Sequence, residues 1–126
     1  MNNDSPNILW YCTDQQRYDT IGALNNPHVN TPQIDQMVGR GTAFTQTYCQ
    51  SPICTPSRAS FLTGCYPNAI RTPRNGNFVY ADQYPLISKI LSDHGYDCGL
   101  VGKLHLASSF QRIEPRVDDG YRYFKW

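Results

Sequence analysis

Residues 54–64 read Cys-Thr-Pro-Ser-Arg-Ala-Ser-Phe-Leu-Thr-Gly, and this segment predicts a helix that begins at its cysteine. Pro56 suits a first helical turn, where its missing N–H costs nothing, and Gly64 is a typical C-terminal stop. The unpaired N–H groups and the positive end of the helix dipole would then face Cys54. Arg58, four residues on, lies on the same face and adds a cation. The segment therefore predicts an anion site with Cys54 as a nucleophile or its precursor.

Cysteine usage sets Cys54 apart from the other thiols. A free cysteine usually acts as a small buried hydrophobe, so the assignment of Cys54 depends on the segment around it. The total of five cysteines is odd, and the absence of Cys-x-x-Cys spacing predicts neither a disulfide framework nor a zinc site. This usage favours a reducing compartment. The remaining cysteines are predicted to be core residues: Cys12, Cys49, Cys65 and Cys98.

Composition indicates a soluble globular chain without a bulk electrostatic partner. The chain is 40% hydrophobic and 17% charged, and eleven basic against ten acidic residues leave a net charge of +1. A nucleic acid or an anionic membrane would call for a basic patch, so neither partner is expected. The first six residues lack the positive start and apolar core of a signal peptide, and no apolar run approaches membrane-spanning length. We therefore expect a cytoplasmic protein.

Two strands are predicted before the cysteine segment. Residues 8–12 form a continuous apolar run typical of a buried parallel strand. Residues 42–48 alternate small or polar side chains with apolar ones and predict a second strand. Asp14 follows the first run, at the carboxyl edge of the predicted sheet, where open α/β sheets bind ligands. Asp14 is therefore a candidate metal ligand.

Two further helices and one turn have packing roles in this interpretation. Thr31 as N-cap and Pro32 at the first position predict a helix that ends at the glycines 39 and 41. A second helix is expected to end at Gly95. Residues 118–120 predict a turn before a last aromatic strand, rather than a metal loop. The apolar stripes of the two helices are Ile34, Met37 and Val38 in the first and Leu86, Ile87, Ile90 and Leu91 in the second.

The stretch from Pro52 to Gly64 resembles the sulfatase signature at every position. In that family the Cys-x-Pro-x-Arg core directs oxidation of the cysteine to formylglycine. A cysteine phosphatase loop would instead separate its Cys and Arg by five residues within a glycine-rich cradle, and here the gap is three. The resemblance implies a sulfuric ester hydrolase with a small-molecule sulfate ester as substrate and the formylglycine-generating enzyme as a partner. It also implies that the hydrated aldehyde at position 54 attacks sulfur.

The resemblance also implies the fold and the size of the whole. We expect an α/β chain that forms part of an alkaline phosphatase/sulfatase-like sandwich with a mainly parallel central sheet. Because that fold is several times longer than 126 residues, residues 1–126 are expected to be the N-terminal portion of a sulfatase-like catalytic domain, incomplete at the C-terminus. Further metal ligands, another histidine and another lysine would come from later sequence, so the 126 residues alone are expected to be inactive.

A second motif contains Lys103 and His105. Residues 95–105 predict an extended segment with these two side chains on one side and Leu104 on the other. The segment resembles the sulfatase Gly-Lys-x-His motif, which implies that Lys103 contacts the sulfate oxygens and His105 the modified cysteine or the sulfate. The catalytic set implied by the resemblance is thus Cys54, Arg58, Lys103 and His105. In the loop at 72–84 and just before it, Arg71 and Arg74 are weaker candidates for substrate contacts.

The metal site departs from the usual family pattern. Sulfatases commonly carry an Asp-Asp pair after the first strand, and this chain carries Asp14-Gln15. The resemblance implies Asp14, Gln15 and the modified Cys54 as ligands of a divalent cation, with Ca²⁺ favoured over Mg²⁺. An amide in place of a carboxylate lowers the charge around a hard cation and is expected to weaken its binding. An Asp-Gln pair also occurs in related phosphonate and phosphate diester hydrolases, so that activity stays open.

A third hypothesis is non-catalytic. The chain would then be a fragment whose exposed sheet edge and apolar faces pair with a complementary chain or in an oligomer. Assays of aryl sulfate against phosphonate monoester separate the first two hypotheses, and size-exclusion chromatography tests the third.

Overall fold

The computed structural model describes residues 5–77, 80, 83–110 and 113–125. It divides into two compact units, Met1–Tyr48 and Cys49–Trp126. Among the helices described, none combines the length and the apolar character needed to cross a membrane.

The first unit contains a short 3-10 helix, Gly22–Leu24, and helix α1, Pro32–Arg40. The first N–H of the 3-10 helix donates to Thr31 Oγ1 at 2.9 Å, and the second donates to Asp35 Oδ1 at 2.9 Å. Thr31 Oγ1 in turn donates to Asp35 Oδ1 at 2.8 Å. The predicted start at Pro32 is confirmed, but the Thr31 side chain forms no cap bond to its own helix. It ties α1 to the 3-10 helix instead.

The two strands predicted in the first unit are not formed. Residues 8–12 and 42–48 are irregular, and Leu9 is 91% exposed. A buried strand needs hydrogen-bonded neighbours and cover on its faces, and the described part of this unit contains no strand to supply them. Met37, predicted to pack, is 66% exposed, whereas the two other apolar positions on its face are half-buried.

The second unit consists of α2 (Cys54–Thr63), α3 (Ile87–Asp93), β1 (Gly99–Val101) and β2 (Tyr123–Lys125). The two strands pair in parallel, with Leu100 opposite Phe124. The chain is thus α/β, with a small parallel sheet. The core of the unit draws on α2, on the segments before α3 and on the loop after β1, and its buried members are Ala59, Leu62, Ile70, Tyr80, Leu86, Leu104 and Leu106.

Helix α3 only partly follows its predicted apolar stripe. Leu86 is 1% exposed, but Ile87 and Ile90 are about two-fifths exposed. The predicted turn at 118–120 packs on this helix, where Ser88 Oγ donates to the carbonyl of Asp119 at 2.6 Å. It leads into β2, so its structural interpretation is supported.

The prediction that four cysteines are core residues is wrong for two of them. Cys12 and Cys49 are exposed, because neither lies in a packed element. Cys65 packs against the core of the second unit, and Cys98 is half-buried.

Candidate active site

Helix α2 begins at Cys54 and is followed by the C-cap Gly64, as predicted. Gly64 adopts the left-handed conformation, with φ 71°, which favours glycine at this position. The N-cap Ile53 is extended and has no side-chain oxygen to accept a bond from the first turn. Asn75 fills that role from a distant loop: its Oδ1 accepts the N–H of Thr55 at 2.9 Å. The turn that carries Cys54 is therefore fixed by a residue twenty positions away.

Arg58 connects α2 to the segment after β1. Its side chain is 9% exposed, and Nη1 donates to the carbonyl oxygen of Lys103 at 2.5 Å. A guanidinium carries five N–H donors in a fixed plane, so this contact uses only part of it. The bond brings together the two sequence segments that resemble family motifs. The expected contact of Arg58 with an anion at position 54 stays a prediction.

The segment from Lys103 to Ala107 is held through its backbone by Glu114. The carboxylate accepts three N–H groups: His105 on Oε2 at 2.7 Å, and Leu106 and Ala107 on Oε1 at 2.5 and 2.8 Å. Glu114 is 5% exposed. A buried carboxylate with several N–H donors forms charge-assisted bonds, which are the stronger class. Glu114 therefore determines the path of this loop.

The predicted extended conformation of this segment ends early. Strand β1 stops at Val101, and His105 has φ 58°, in the left-handed region. Leu104 is buried and Lys103 and His105 are half-buried, and the placement of the last two side chains on one side stays a prediction. The turn at His105 allows its N–H to reach Glu114.

Left-handed backbone recurs at candidate site residues. In the described ranges the non-glycine residues with positive φ are Gln15, Asn25, Arg71 and His105. Such conformations cost about 1–3 kcal/mol and tend to cluster at functional sites. Gln15 and His105 were candidates from the sequence, and Arg71 was a weaker one. Arg71 and Arg74 are exposed, and the loop predicted at 72–84 includes residues 78, 79, 81 and 82, which lie outside the described ranges.

Asp14 and Gln15 lie in the first unit, where both are exposed. Within the described ranges, no three His, Cys, Asp or Glu side chains are grouped as a metal centre. One carboxylate and one adjacent amide nevertheless offer oxygen donors of the type that Ca²⁺ and Mg²⁺ prefer. The donor chemistry fits a hard cation, and it covers only part of the six or more oxygens that Ca²⁺ takes.

The thiol of Cys98 is in an environment that makes it a poor nucleophile. Burial, and to a smaller degree the negative charge of Asp97, raises the pKa of Cys98. Its Sγ donates to the carbonyl of Ser88 at 3.5 Å. A thiol with a raised pKa stays protonated at neutral pH and is unreactive. Cys98 thus belongs to the packing between β1 and α3.

A shallow cleft of about 320 Å³ lies beside the first turn of α2. Pro56, two residues from Cys54, forms one wall, and Tyr66 contributes an aromatic ring. Three prolines make the lining rigid, and amide and hydroxyl groups add polar contacts. The lining residues are Gln50, Ser51, Pro56, Tyr66, Pro67, Asn68 and Pro73.

Sequence reasoning missed Asn75 and Glu114. Asn75 stands in a segment rich in Asn, Gly, Pro and Arg that indicated only an irregular loop. Glu114 is a single acidic residue outside any motif. Its neighbours in sequence include other charged and polar residues, so no local signal distinguishes it.

Comparisons with known proteins point to one family. A family model described as Sulfatase matches residues 6–124. Steryl-sulfatase of Homo sapiens is 36% identical over 134 residues, which cover 94% of this chain and 23% of that protein. The ulvan-active sulfatase of Formosa agariphila is 36% identical over 125 residues, which cover 95% of this chain and 24% of that protein.

A solved structure agrees with the sequence relatives. The crystal structure of YidJ from Bacteroides fragilis, a protein assigned as a sulfatase, is similar with a TM-score of 0.71 and 30% identity. The match covers 78% of this chain and 23% of that one. The chain thus spans about a quarter of the length of the proteins that it matches.

Proposed function

Because the chain belongs to the sulfatase family, we propose that it carries the nucleophile segment of a sulfuric ester hydrolase, with Cys54 as the precursor of formylglycine. The observation that supports this proposal best is the bond from Arg58 to the carbonyl of Lys103. It joins the segment that contains Cys54 to the segment that contains Lys103 and His105. Arg58 and Lys103 are 45 residues apart in the sequence.

The residues of the second unit have distinct tasks in this proposal. Lys103 and Arg58 supply positive charge for the sulfate oxygens, where charge grows during transfer, and such stabilisation is usually the largest catalytic contribution. The N–H groups and dipole of the first turn of α2 favour an anion at position 54. His105 transfers a proton to or from the reacting oxygens. Formylglycine supplies an oxygen nucleophile that a thiol cannot replace.

Asp14 and Gln15 are proposed as ligands of a divalent cation, with Ca²⁺ favoured over Mg²⁺. Such a cation, when bound, supplies Lewis-acid stabilisation of negative charge. The left-handed turn at Gln15 and the oxygen chemistry of both side chains support this assignment. The contribution of residue 54 to the same cation stays a prediction from the family resemblance.

We also propose that the chain is part of a larger sulfatase-like sandwich. Its span of about a quarter of its relatives supports this, as do the exposed apolar side chains at 8–11. Such a run is typical of a strand whose neighbours lie elsewhere. The remaining ligands would come from those neighbours, and a complementary chain is the alternative source.

A second candidate activity is hydrolysis of phosphonate monoesters or phosphate diesters. The amide at Gln15 in place of a second carboxylate is the observation that favours it. The Asp14-Gln15 pair resembles the pair found in related phosphonate and phosphate diester hydrolases.

Mass spectrometry of residue 54 tests the main proposal. The protein is expressed with the formylglycine-generating enzyme, and intact and peptide masses are compared with those of Cys54→Ala prepared in the same way. An aldehyde at position 54 is the expected result, and the full-length protein that contains this chain should hydrolyse an aryl sulfate faster than a phosphonate monoester. A plain thiol under these conditions contradicts the proposal, and the reverse substrate order favours the second activity.

A further inference from the structure

Glu114 is a buried carboxylate for which the proposed chemistry has no use. It is 5% exposed, and both of its oxygens are directed to backbone N–H groups of the loop after β1. Three consecutive N–H groups, those of His105, Leu106 and Ala107, converge on it. A loop backbone of this kind would otherwise leave several donors unsatisfied away from water, at a substantial cost for each.

Two buried charges hold the same loop from its two ends. Arg58 donates to the carbonyl of Lys103 at 2.5 Å, and Glu114 accepts the N–H of His105 at 2.7 Å. Both contacts are made to backbone atoms. The loop is therefore anchored by its main chain on either side of Leu104, which is buried. The anchoring bonds involve the backbone atoms of Lys103 and His105, not their side chains.

The conformation of His105 depends on this anchor. Its φ of 58° lies in the left-handed region, which a non-glycine residue adopts only where its surroundings compensate for the strain. The bond from its N–H to Oε2 of Glu114 is a contact that compensates for this turn. Without it, the backbone is expected to relax toward negative φ, which moves the imidazole.

We propose that Glu114 is a positioning residue that sets the placement of Lys103 and His105 for the reaction. This inference rests on the proposed function, because positioning has meaning only if those two side chains act on a substrate. Glu114 itself touches neither the substrate nor residue 54 in this proposal. Its effect passes through the backbone of residues 103–107.

Glu114→Gln is a discriminating substitution. A carboxylate accepts on both oxygens, whereas an amide offers one oxygen and one NH₂ group. If the amide oxygen keeps the bonds from Leu106 and Ala107, the NH₂ group must face the N–H of His105. The substitution therefore preserves shape and removes the His105 contact selectively. Small errors in the placement of catalytic groups are costly, of the order of a hundredfold per ångström.

Asp119→Asn is the matched control. Asp119 is also a buried carboxylate, 2% exposed, and its Oδ1 accepts the N–H of Tyr121 at 2.9 Å. Its carboxylate also accepts a bond from Nε of Arg116 at 2.7 Å, and its backbone carbonyl accepts one from Ser88 of α3. Thermal unfolding of both variants measures the general cost of a buried carboxylate-to-amide change.

The experiment combines amide exchange with kinetics, both on the matured full-length protein that contains this chain. In Glu114→Gln we expect the amide of His105 to exchange at least tenfold faster and kcat for an aryl sulfate to fall at least tenfold, with a smaller change in KM. Asp119→Asn should leave that amide and kcat within about twofold of the wild type. If Glu114→Gln does not fold, Glu114→Asp, one methylene shorter, is measured with the same expectation.

Two outcomes would overturn the inference. One is unchanged exchange of the His105 amide, which means that Glu114 does not hold this turn of the loop. The other is faster exchange with an unchanged kcat, which makes the contact purely structural. A wild-type protein that carries formylglycine and hydrolyses no sulfate ester refutes the proposed function instead, and the exchange data still decide whether Glu114 anchors the loop.

Discussion

The side-chain oxygen of Asn75 accepts the backbone N–H of Thr55 at 2.9 Å, so a loop residue completes the first turn of the helix that begins at Cys54. Capping from a distant position couples the geometry of the nucleophile to the loop at 72–77. It also places a neutral acceptor, rather than a charged one, beside a turn proposed to bind an anion.

Replacement of Asn75 should separate capping from charge. Asn75→Ala removes the acceptor and is expected to lower the free energy of unfolding by about 1 kcal/mol. Asn75→Asp keeps an acceptor and adds negative charge at the positive end of the helix, so stability should be equal or higher. The same charge should weaken binding of inorganic sulfate. Urea unfolding and NMR titration with sulfate measure the two effects, and tighter sulfate binding by the aspartate variant would contradict the assignment.

Loss of the Arg58 contact should destabilise the fold, because the carbonyl of Lys103 loses this hydrogen-bond donor. Arg58→Ala is expected to lower the free energy of unfolding by about 1–3 kcal/mol, the usual cost of leaving a buried polar group unpaired. Arg122→Ala is the control, since Arg122 pairs with Asp97 on an exposed surface and such pairs contribute about 0–1 kcal/mol. Denaturant unfolding of both variants decides the point. Equal losses of unfolding free energy in the two variants would show that the bond from Arg58 to Lys103 contributes no more than an exposed ion pair.

A second carboxylate at the proposed cation site should raise metal affinity. Gln15→Asp restores the pair common in the family, and a hard cation binds more tightly as ligand charge rises. Gln16→Asp makes the same change in charge one position on and controls for a general electrostatic effect. Calorimetric titration with Ca²⁺ is the measurement. We expect at least tenfold tighter binding for Gln15→Asp than for Gln16→Asp, and equal affinities would exclude Gln15 as a ligand.

The free energy of unfolding should decrease as pH rises above neutral, because of Cys98. Burial raises the pKa of Cys98 in the folded protein, so the unfolded chain releases this proton first. The contribution is fully present below the unfolded pKa of about 8.5 and is lost as pH rises from there toward the folded pKa. A serine hydroxyl does not ionise in this range. Urea midpoints between pH 7 and 10 should therefore fall less steeply for Cys98→Ser than for the wild type, and parallel curves would contradict this account.

Helix α2 shows how far sequence reasoning extends. Its first residue and its glycine stop were both predicted, because proline, glycine and apolar spacing act within one turn of the chain. The start of α1 at Pro32 followed for the same reason. The strands predicted at 8–12 and 42–48 were wrong, because a strand is defined by neighbours that lie outside its own sequence.

The sequence by itself determined the family, the boundaries of α2 and the choice of Cys54, Arg58, Lys103 and His105 as candidates, since motifs and helix signals are local. Only the tertiary structure decided what holds them: Asn75 on the first turn of α2, Glu114 on the N–H groups of 105–107, and Arg58 on the carbonyl of Lys103. The physical reason is that unpaired backbone donors and acceptors take their partners from whichever chain packs beside them, at any distance in sequence.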